Sequence, residues 1–181
     1  MDLRMVKTRR QIKEAFLTLR ERLMPEHIKV KDICEVAMIN KATFYNHYND
    51  SAELSNEIDD STVDKVMSDF GERDKLFDDP KAYIKGLFRS LEKEATALKR
   101  VFRGKTDVFC SKLEERLCSL YESRVEDMEE KTRLSFAIGG FVRIIKEYLL
   151  SDVKYDLDKL VDYSVKMLET LFARKEKQMA K

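Results

Sequence analysis

Apolar residues along this chain recur three and four positions apart, and polar residues fill the gaps between them. That spacing predicts amphipathic α-helix, whose side chains return to one face about every 3.6 residues. Ile12, Ala15, Phe16, Leu19 and Leu23 make the first stripe, predicting a helix from about Val6 to Met24 that Pro25 ends. Ile33, Val36 and Ala37 share a face of a short second helix. Asn40 suits the cap of a third, KATFYNHY, because its side-chain oxygen accepts from free backbone N–H groups. Phe44 and Tyr48 lie four apart and anchor that helix inward. A fourth stripe, Leu54, Ile58, Val63, Val66, Met67 and Phe70, predicts a helix from about Ser51 to Phe70 that ends near Gly71. Asp50 and Glu53 read as its capping box. The Asp-rich stretch from Asp59 to Asp79 reads as a solvated face and an exposed loop.

Pro80 suits the first position of the next helix, with Tyr83, Ile84, Leu87, Phe88 and Leu91 as its buried stripe. A shorter helix over Ala95–Phe102 is broken by Gly104. Another, from about Asp107 to Glu126, buries Phe109, Leu113, Leu117, Leu120 and Tyr121, with Cys110 and Cys118 packed beside them. Two helices, about Glu130–Leu150 and Leu157–Lys175, close the chain. Nothing reads as a run of strands, so the expectation is an all-α fold of about nine helices.

The segment FAIGGFVRIIKEYLL is apolar on nearly every side between Phe136 and Leu150, so it must be covered all round. Gly139 and Gly140 in mid-helix cost roughly 1 kcal/mol each against Ala, which makes sense where another backbone approaches closely. The last helix repeats Leu157, Leu160, Val161, Ser164, Leu168, Leu171 and Phe172. The pair reads as dimerisation helices, two from each subunit forming a four-helix bundle. Phe136, Gly139, Gly140, Phe141, Leu160, Ser164 and Leu168 are the expected interface. The competing reading is an ordinary core helix in a monomer.

Composition supports helix: 43% of the 181 residues are hydrophobic and 38% charged, with only 5 Gly and 2 Pro. The net charge of +1 hides an asymmetry. Residues 1–50 hold ten Lys/Arg against seven Asp/Glu, and the remainder 25 against 27. A basic head on a mildly acidic body suits a head that meets phosphate. Three cysteines in a chain this long fit a reducing cytoplasm, and no Cys/His cluster has metal-ligand spacing. The polar N-terminus is unlike a signal peptide, and the longest apolar run, Phe136 to Val142, is too short to span a bilayer. No nucleophile–base pair and no phosphate loop is present, so neither catalytic residues nor a cofactor are expected.

The stretch Lys29–Leu54 organises the rest. Two short helices crossing through a tight turn, the second opening with small, basic and amide side chains, are what a helix-turn-helix needs to enter the major groove. Ala37-Met38-Ile39, Asn40, Thr43-Phe44-Tyr45-Asn46-His47-Tyr48 and Ser51-Ala52-Glu53-Leu54 together resemble the DNA-binding signature of the TetR family of bacterial transcription regulators. Three positions depart from that pattern. Met38 stands in place of the usual turn glycine, Lys29 in place of a capping Thr, and Ser51 in place of a lysine that approaches phosphate. The block FAIGGFVRIIKEYLL is similar to the C-terminal region of a dihydroxyacetone-kinase-regulator-like subgroup, where a tryptophan more often stands near Tyr148.

The resemblance implies a homodimeric regulator, a repressor or, as some members of the subgroup look to be, an activator, on palindromic double-stranded DNA in the bacterial cytoplasm. Residues 1–50 would read DNA and residues 51–181 would regulate and dimerise. Lys41, Ala42 and Thr43 are expected at base edges, where Ala42 or the Thr43 methyl could meet a thymine methyl. Lys31, Tyr45, Asn46 and His47 are expected to position the protein on phosphates. Arg4, Lys7, Arg9 and Arg10 either reach flanking phosphates or form a solvated helix end, and His27 reads as an exposed loop residue. A small apolar effector or a protein partner would tilt the helix after Ser51 and so change head spacing. Phe70, Tyr83, Phe88, Phe102, Phe109 and Tyr121 are the pocket candidates, each of which also reads as plain core. The alternative function is a helical protein-interaction adaptor with secondary DNA binding.

Overall fold

The computed structural model describes residues 3–68, 79–122, 125, 127–150 and 155–172, which form nine α-helices and one short 3-10 turn with no strand among them. The helices are α1 Leu3–Arg20, α2 Val30–Val36, α3 Lys41–Tyr45, α4 Ser51–Ser68, α5 Pro80–Lys93, α6 Ala95–Val101, α7 Thr106–Tyr121, α8 Met128–Leu150 and α9 Leu157–Phe172. The expected all-α class holds. The predicted end of α4 near Phe70 and Gly71 lies outside the described residues.

The chain packs as two compact units. One comprises Met1–Lys65 with Glu94–Gly104, the other Val66–Lys93 with Lys105–Lys181. In the first unit α2 packs on α1, α3 on α2, and α6 on α1. Ile12, Phe16, Ile33, Phe44 and Leu54 are fully buried there. Val36, expected to be buried with Ile33 and Ala37, is instead 42% exposed, because Ile33, Cys34 and Ala37 form the buried face of this turn and Val36 falls beside the exposed Glu35 on the other side. α1 ends at Arg20, before the expected boundary, and Pro25 opens the 3-10 turn Pro25–His27 instead of terminating α1.

Arg20 and Asp59 are the least expected core residues. They are 3% and 4% exposed, and Arg20 Nη1 donates to Asp59 Oδ1 at 2.9 Å. Asp59 is thus not part of a solvated face. It lies four residues before Val63 on the buried side of α4, and Arg20 lies four after Phe16 on the buried side of α1. The guanidinium also stands over the Phe16 ring, 5.9 Å from its centroid, while its Nε and Nη2 are buried with no hydrogen-bond partner. At the rim of this unit Lys65 binds the buried Glu94 at 2.7 Å, and Arg100 meets Glu14 and Glu21 at 3.1 and 3.4 Å, tying α6 to α1.

The second unit is held by apolar stripes. α7 packs on α8, α5 on α9, and α8 on α9. Tyr83, Ile84, Leu87, Phe88 and Leu91 of α5 are all buried, as the spacing predicts. Asp79 caps α5 through the Ala82 N–H at 2.9 Å, with Pro80 at the first helical position. Cys110 is buried, but Cys118 is exposed and does not join the core, because its position on α7 faces away from Leu113 and Leu117. Gly104 takes φ +68 after α6, which explains the break there.

The Arg20–Asp59 pair makes a clear prediction. Asp59→Ala leaves a buried, uncompensated guanidinium, and unfolding in urea should show a loss of about 3–5 kcal/mol. Replacing both residues with apolar ones of similar volume should recover most of that loss.

Candidate functional site

α2 ends in a Schellman closure. The Met38 N–H donates to Glu35 O at 3.2 Å and the Ile39 N–H to Cys34 O at 3.0 Å. The closing residue must be left-handed, and Met38 has φ +52. A side chain there crowds its own backbone by roughly 1–2 kcal/mol, which glycine would avoid. Asn40 then caps α3 as expected, its Oδ1 accepting from the Thr43 N–H at 2.7 Å.

α3 is only five residues long, so its anchors decide where it lies. Phe44 is fully buried and Tyr48, just past the helix, is 2% exposed, with ring centroids 5.8 Å apart. The opposite side is open. Lys41, Ala42, Tyr45 and Asn46 are exposed, as is Lys31 on α2, while Thr43 and His47 are half-buried. Tyr45 rests edge-on against Phe44 yet stays 54% exposed. The seven residues expected to meet DNA are therefore all at least partly accessible, and the two expected anchors are not.

A charged network fixes this arrangement from behind. Arg9 Nε donates to Tyr48 Oη at 3.1 Å, and its Nη2 binds Glu57 Oε2 at 2.7 Å. Lys13 Nζ holds the other oxygen of Glu57 at 2.8 Å. Partial burial alone would raise the Glu57 carboxyl, but hydrogen bonds from Arg9, Lys13 and Tyr48 outweigh it and hold the group down at about 2. Burial, with the Glu57 bond, pushes the Tyr48 phenol up to about 12. All four cations at the start of α1 are exposed, and Arg9 among them is engaged with Tyr48 and Glu57.

α4 starts beside this network. Asp50 Oδ1 caps it through the Glu53 N–H at 2.8 Å. The second half of the expected capping box is displaced by one residue: Glu53 Oε2 accepts from Asn49 N at 2.7 Å and Asn49 Nδ2 at 2.9 Å, because the amide side chain offers it a second donor.

Several solved structures share this architecture. A TetR transcriptional regulator from Streptococcus agalactiae superposes with a TM-score of 0.62 at 21% identity, over 91% of this chain and 95% of that one. The chain shares the fold of that regulator. The structural neighbours also include the dihydroxyacetone kinase operon activator DhaS, with a TM-score of 0.53 at 19% identity over 91% of this chain and 96% of that one. They also include the fatty acid degradation regulator FadR from Bacillus halodurans, with a TM-score of 0.51 at 19% identity over 93% and 96%. No family model and no curated protein sequence matches the chain.

The second unit carries an open apolar groove of about 580 Å3 along α8 and α9. Of the residues expected at a dimer interface, Phe136, Gly140, Phe141, Ser164 and Leu168 line it, and Gly139 and Leu160 do not. Ser164 is 5% exposed and donates to Leu160 O at 2.8 Å, so it belongs to the groove floor. Tyr163 and Met167, which sequence reasoning missed, are 58% and 60% exposed on the same face. Their signal is the four-residue repeat Tyr163, Met167, Leu171, offset from the buried stripe of α9. A Cβ on Gly140 would meet nothing within 4 Å, and one on Gly139 only a side-chain oxygen of Glu114 at 3.8 Å. Packing within the described chain therefore does not call for either glycine.

The pocket candidates are placed differently. Tyr83, Phe88, Phe109 and Tyr121 are core residues of the second unit, Phe102 is buried in the first, and Phe70 lies outside the described residues. The Tyr121 hydroxyl donates to that of Tyr83 at 2.9 Å, and burial raises both phenols. This pair borders a cavity of about 30 Å3, an order of magnitude below the ~300–1,000 Å3 of a small-molecule site. Among the described residues no cluster of His, Cys, Asp and Glu could hold a metal ion, and no helix is long and apolar enough to cross a membrane.

Glu57 generates a pH prediction. Its folded value is below the unfolded one, so the stability it adds is full above about pH 4.5 and is lost as pH falls toward about 2. Glu57→Gln should therefore be less stable than the parent chain at pH 6, and urea melts should show that gap closing between pH 4.5 and 2.

Proposed function

We propose that the chain is a dimeric, non-enzymatic transcription regulator that binds a palindromic DNA operator through α2 and α3. The observation that carries this reading is the two-sidedness of α3: Phe44 is buried while Lys41, Ala42 and Tyr45 are exposed beside Lys31 and Asn46. On this reading residues 1–50 read DNA and residues 51–181 regulate and dimerise. Lys41, Ala42 and Thr43 meet base edges, and Lys31, Tyr45, Asn46 and His47 hold the backbone.

A helix of this length spans only a few base pairs, so twofold symmetry is needed to read a useful site. The two recognition helices must then stand about one DNA turn apart, ~34–36 Å. The α8–α9 groove supports a second copy of this chain as the device that sets that distance. It presents Phe136, Tyr163 and Met167 to solvent, and Gly140 leaves room for a close approach from outside the chain. Control follows if an effector, either a small apolar molecule or a protein partner, prefers one head spacing over another. The names of DhaS and of FadR place both activation and catabolic regulation among the neighbours, so the sign of regulation is a matter for reporter assays.

Two experiments test this. On a duplex selected from a random library, log K should fall linearly with log salt concentration. Lys31→Ala should flatten the slope by about 1 and weaken all sequences alike, whereas Lys41→Ala should cost about 1–3 kcal/mol and relax preference at one base pair. A flat salt response with tight protein binding would favour the adaptor reading instead. For the dimer, Gly140→Leu has room within the chain and improves helix propensity, so the fold should survive while sedimentation shows weakened self-association. Unchanged association would remove the groove as the interface.

A further inference from the structure

We propose that Met38 contacts DNA, packing its side chain against a thymine 5-methyl group at the edge of each half-site; this rests on the DNA-binding reading of α2 and α3. Three observations lead there. Met38 is the only non-glycine residue with positive φ among the described residues, at +52. It is 90% exposed, so the fold draws almost nothing from its side chain. The two hydrogen bonds that close α2 use only backbone atoms of residues 34, 35, 38 and 39, and glycine would make them without strain. A strained residue whose side chain the fold does not use points to a contact outside the chain.

Position and chemistry narrow the contact. Met38 stands two residues before the α3 cap Asn40 and, like Asn40, Lys41, Ala42 and Tyr45, is exposed. A thioether carries no charge and no donor, so it contributes nothing to phosphate binding or to hydrogen-bond readout. Among major-groove base edges the apolar feature is the thymine 5-methyl group. A flexible, polarisable side chain suits a contact at the rim of the groove, where the surface is not sharply shaped.

The test compares the parent chain, Met38→Gly and Met38→Ala on one library-selected duplex, with each thymine replaced in turn by deoxyuridine. Removing a contacted methyl should weaken the parent chain by about three- to fivefold at one thymine per half-site. Both variants should lose that response at that position and keep the parent's salt slope. Met38→Gly should also melt at higher temperature, and Met38→Ala, which keeps the left-handed strain, should not. If the parent and both variants respond alike to every replacement while the parent shows a salt-dependent affinity, the Met38 contact is refuted and the regulator reading stands. If the parent has no salt-dependent affinity for any selected duplex, both fall together.

Discussion

A helix of five residues has no stability of its own, because nucleation fixes several residues before any gain from propagation. The geometry of α3 is therefore borrowed. Phe44 wedges it into the core of the first unit, and Tyr48 fastens its far end to Arg9 of α1 and, through Arg9, to Glu57 of α4. One arginine thus touches both Tyr48, just past α3, and Glu57 of α4. Any shift of α4 along its axis must either break the Glu57 contacts or carry Tyr48 with it.

The two units are held by different kinds of force. In the first, directional bonds between charged groups recur: Arg9 and Lys13 with Glu57, Arg20 with Asp59, Lys65 with Glu94, Arg100 with Glu14. A buried pair such as Arg20–Asp59 is a poor source of stability, because desolvation offsets most of the attraction. What it supplies is register. Apolar faces tolerate sliding by a fraction of a turn, whereas a 2.9 Å hydrogen bond between α1 and α4 does not. That suits a unit that, on the proposed reading, presents exposed side chains to fixed positions on DNA. In the second unit ion pairs also link helices, Lys81 and Lys85 of α5 with Asp162 and Asp158 of α9 and Lys146 of α8 with Asp107 of α7, but these lie at the surface, and the aliphatic and aromatic stripes of α5, α7, α8 and α9 fill the interior.

Much of this was legible from spacing. The stripes located all nine helices within a few residues, since burial of one face and helical period are the same fact seen twice. The cap at Asn40, the anchors Phe44 and Tyr48, and the accessibility of Lys31, Lys41 and Tyr45 follow from local rules. What spacing did not reveal has a common cause: periodicity marks which face a residue occupies and is silent about what it meets there. Asp59 and Arg20 occupy core positions on their helices, but composition reads each as solvated, and only their meeting reconciles the two. Val36 and Cys118 have apolar character at positions no neighbour covers. Tyr163 and Met167 fall on a second, uncovered stripe of α9, which a single-face reading of that helix discards.

Two places break local rules in opposite senses. Met38 puts a side chain where the backbone favours glycine, and Gly139–Gly140 put glycine where a helix favours a side chain. Neither violation is explained by packing within the described chain, since Met38 is 90% exposed and Gly140 has open space where its Cβ would stand. Both lie on surfaces rather than in cores, Met38 just before α3 and Gly140 in the apolar groove. A fold that keeps locally unfavourable residues at two exposed sites, and at neither for its own stability, is best understood through what those surfaces touch.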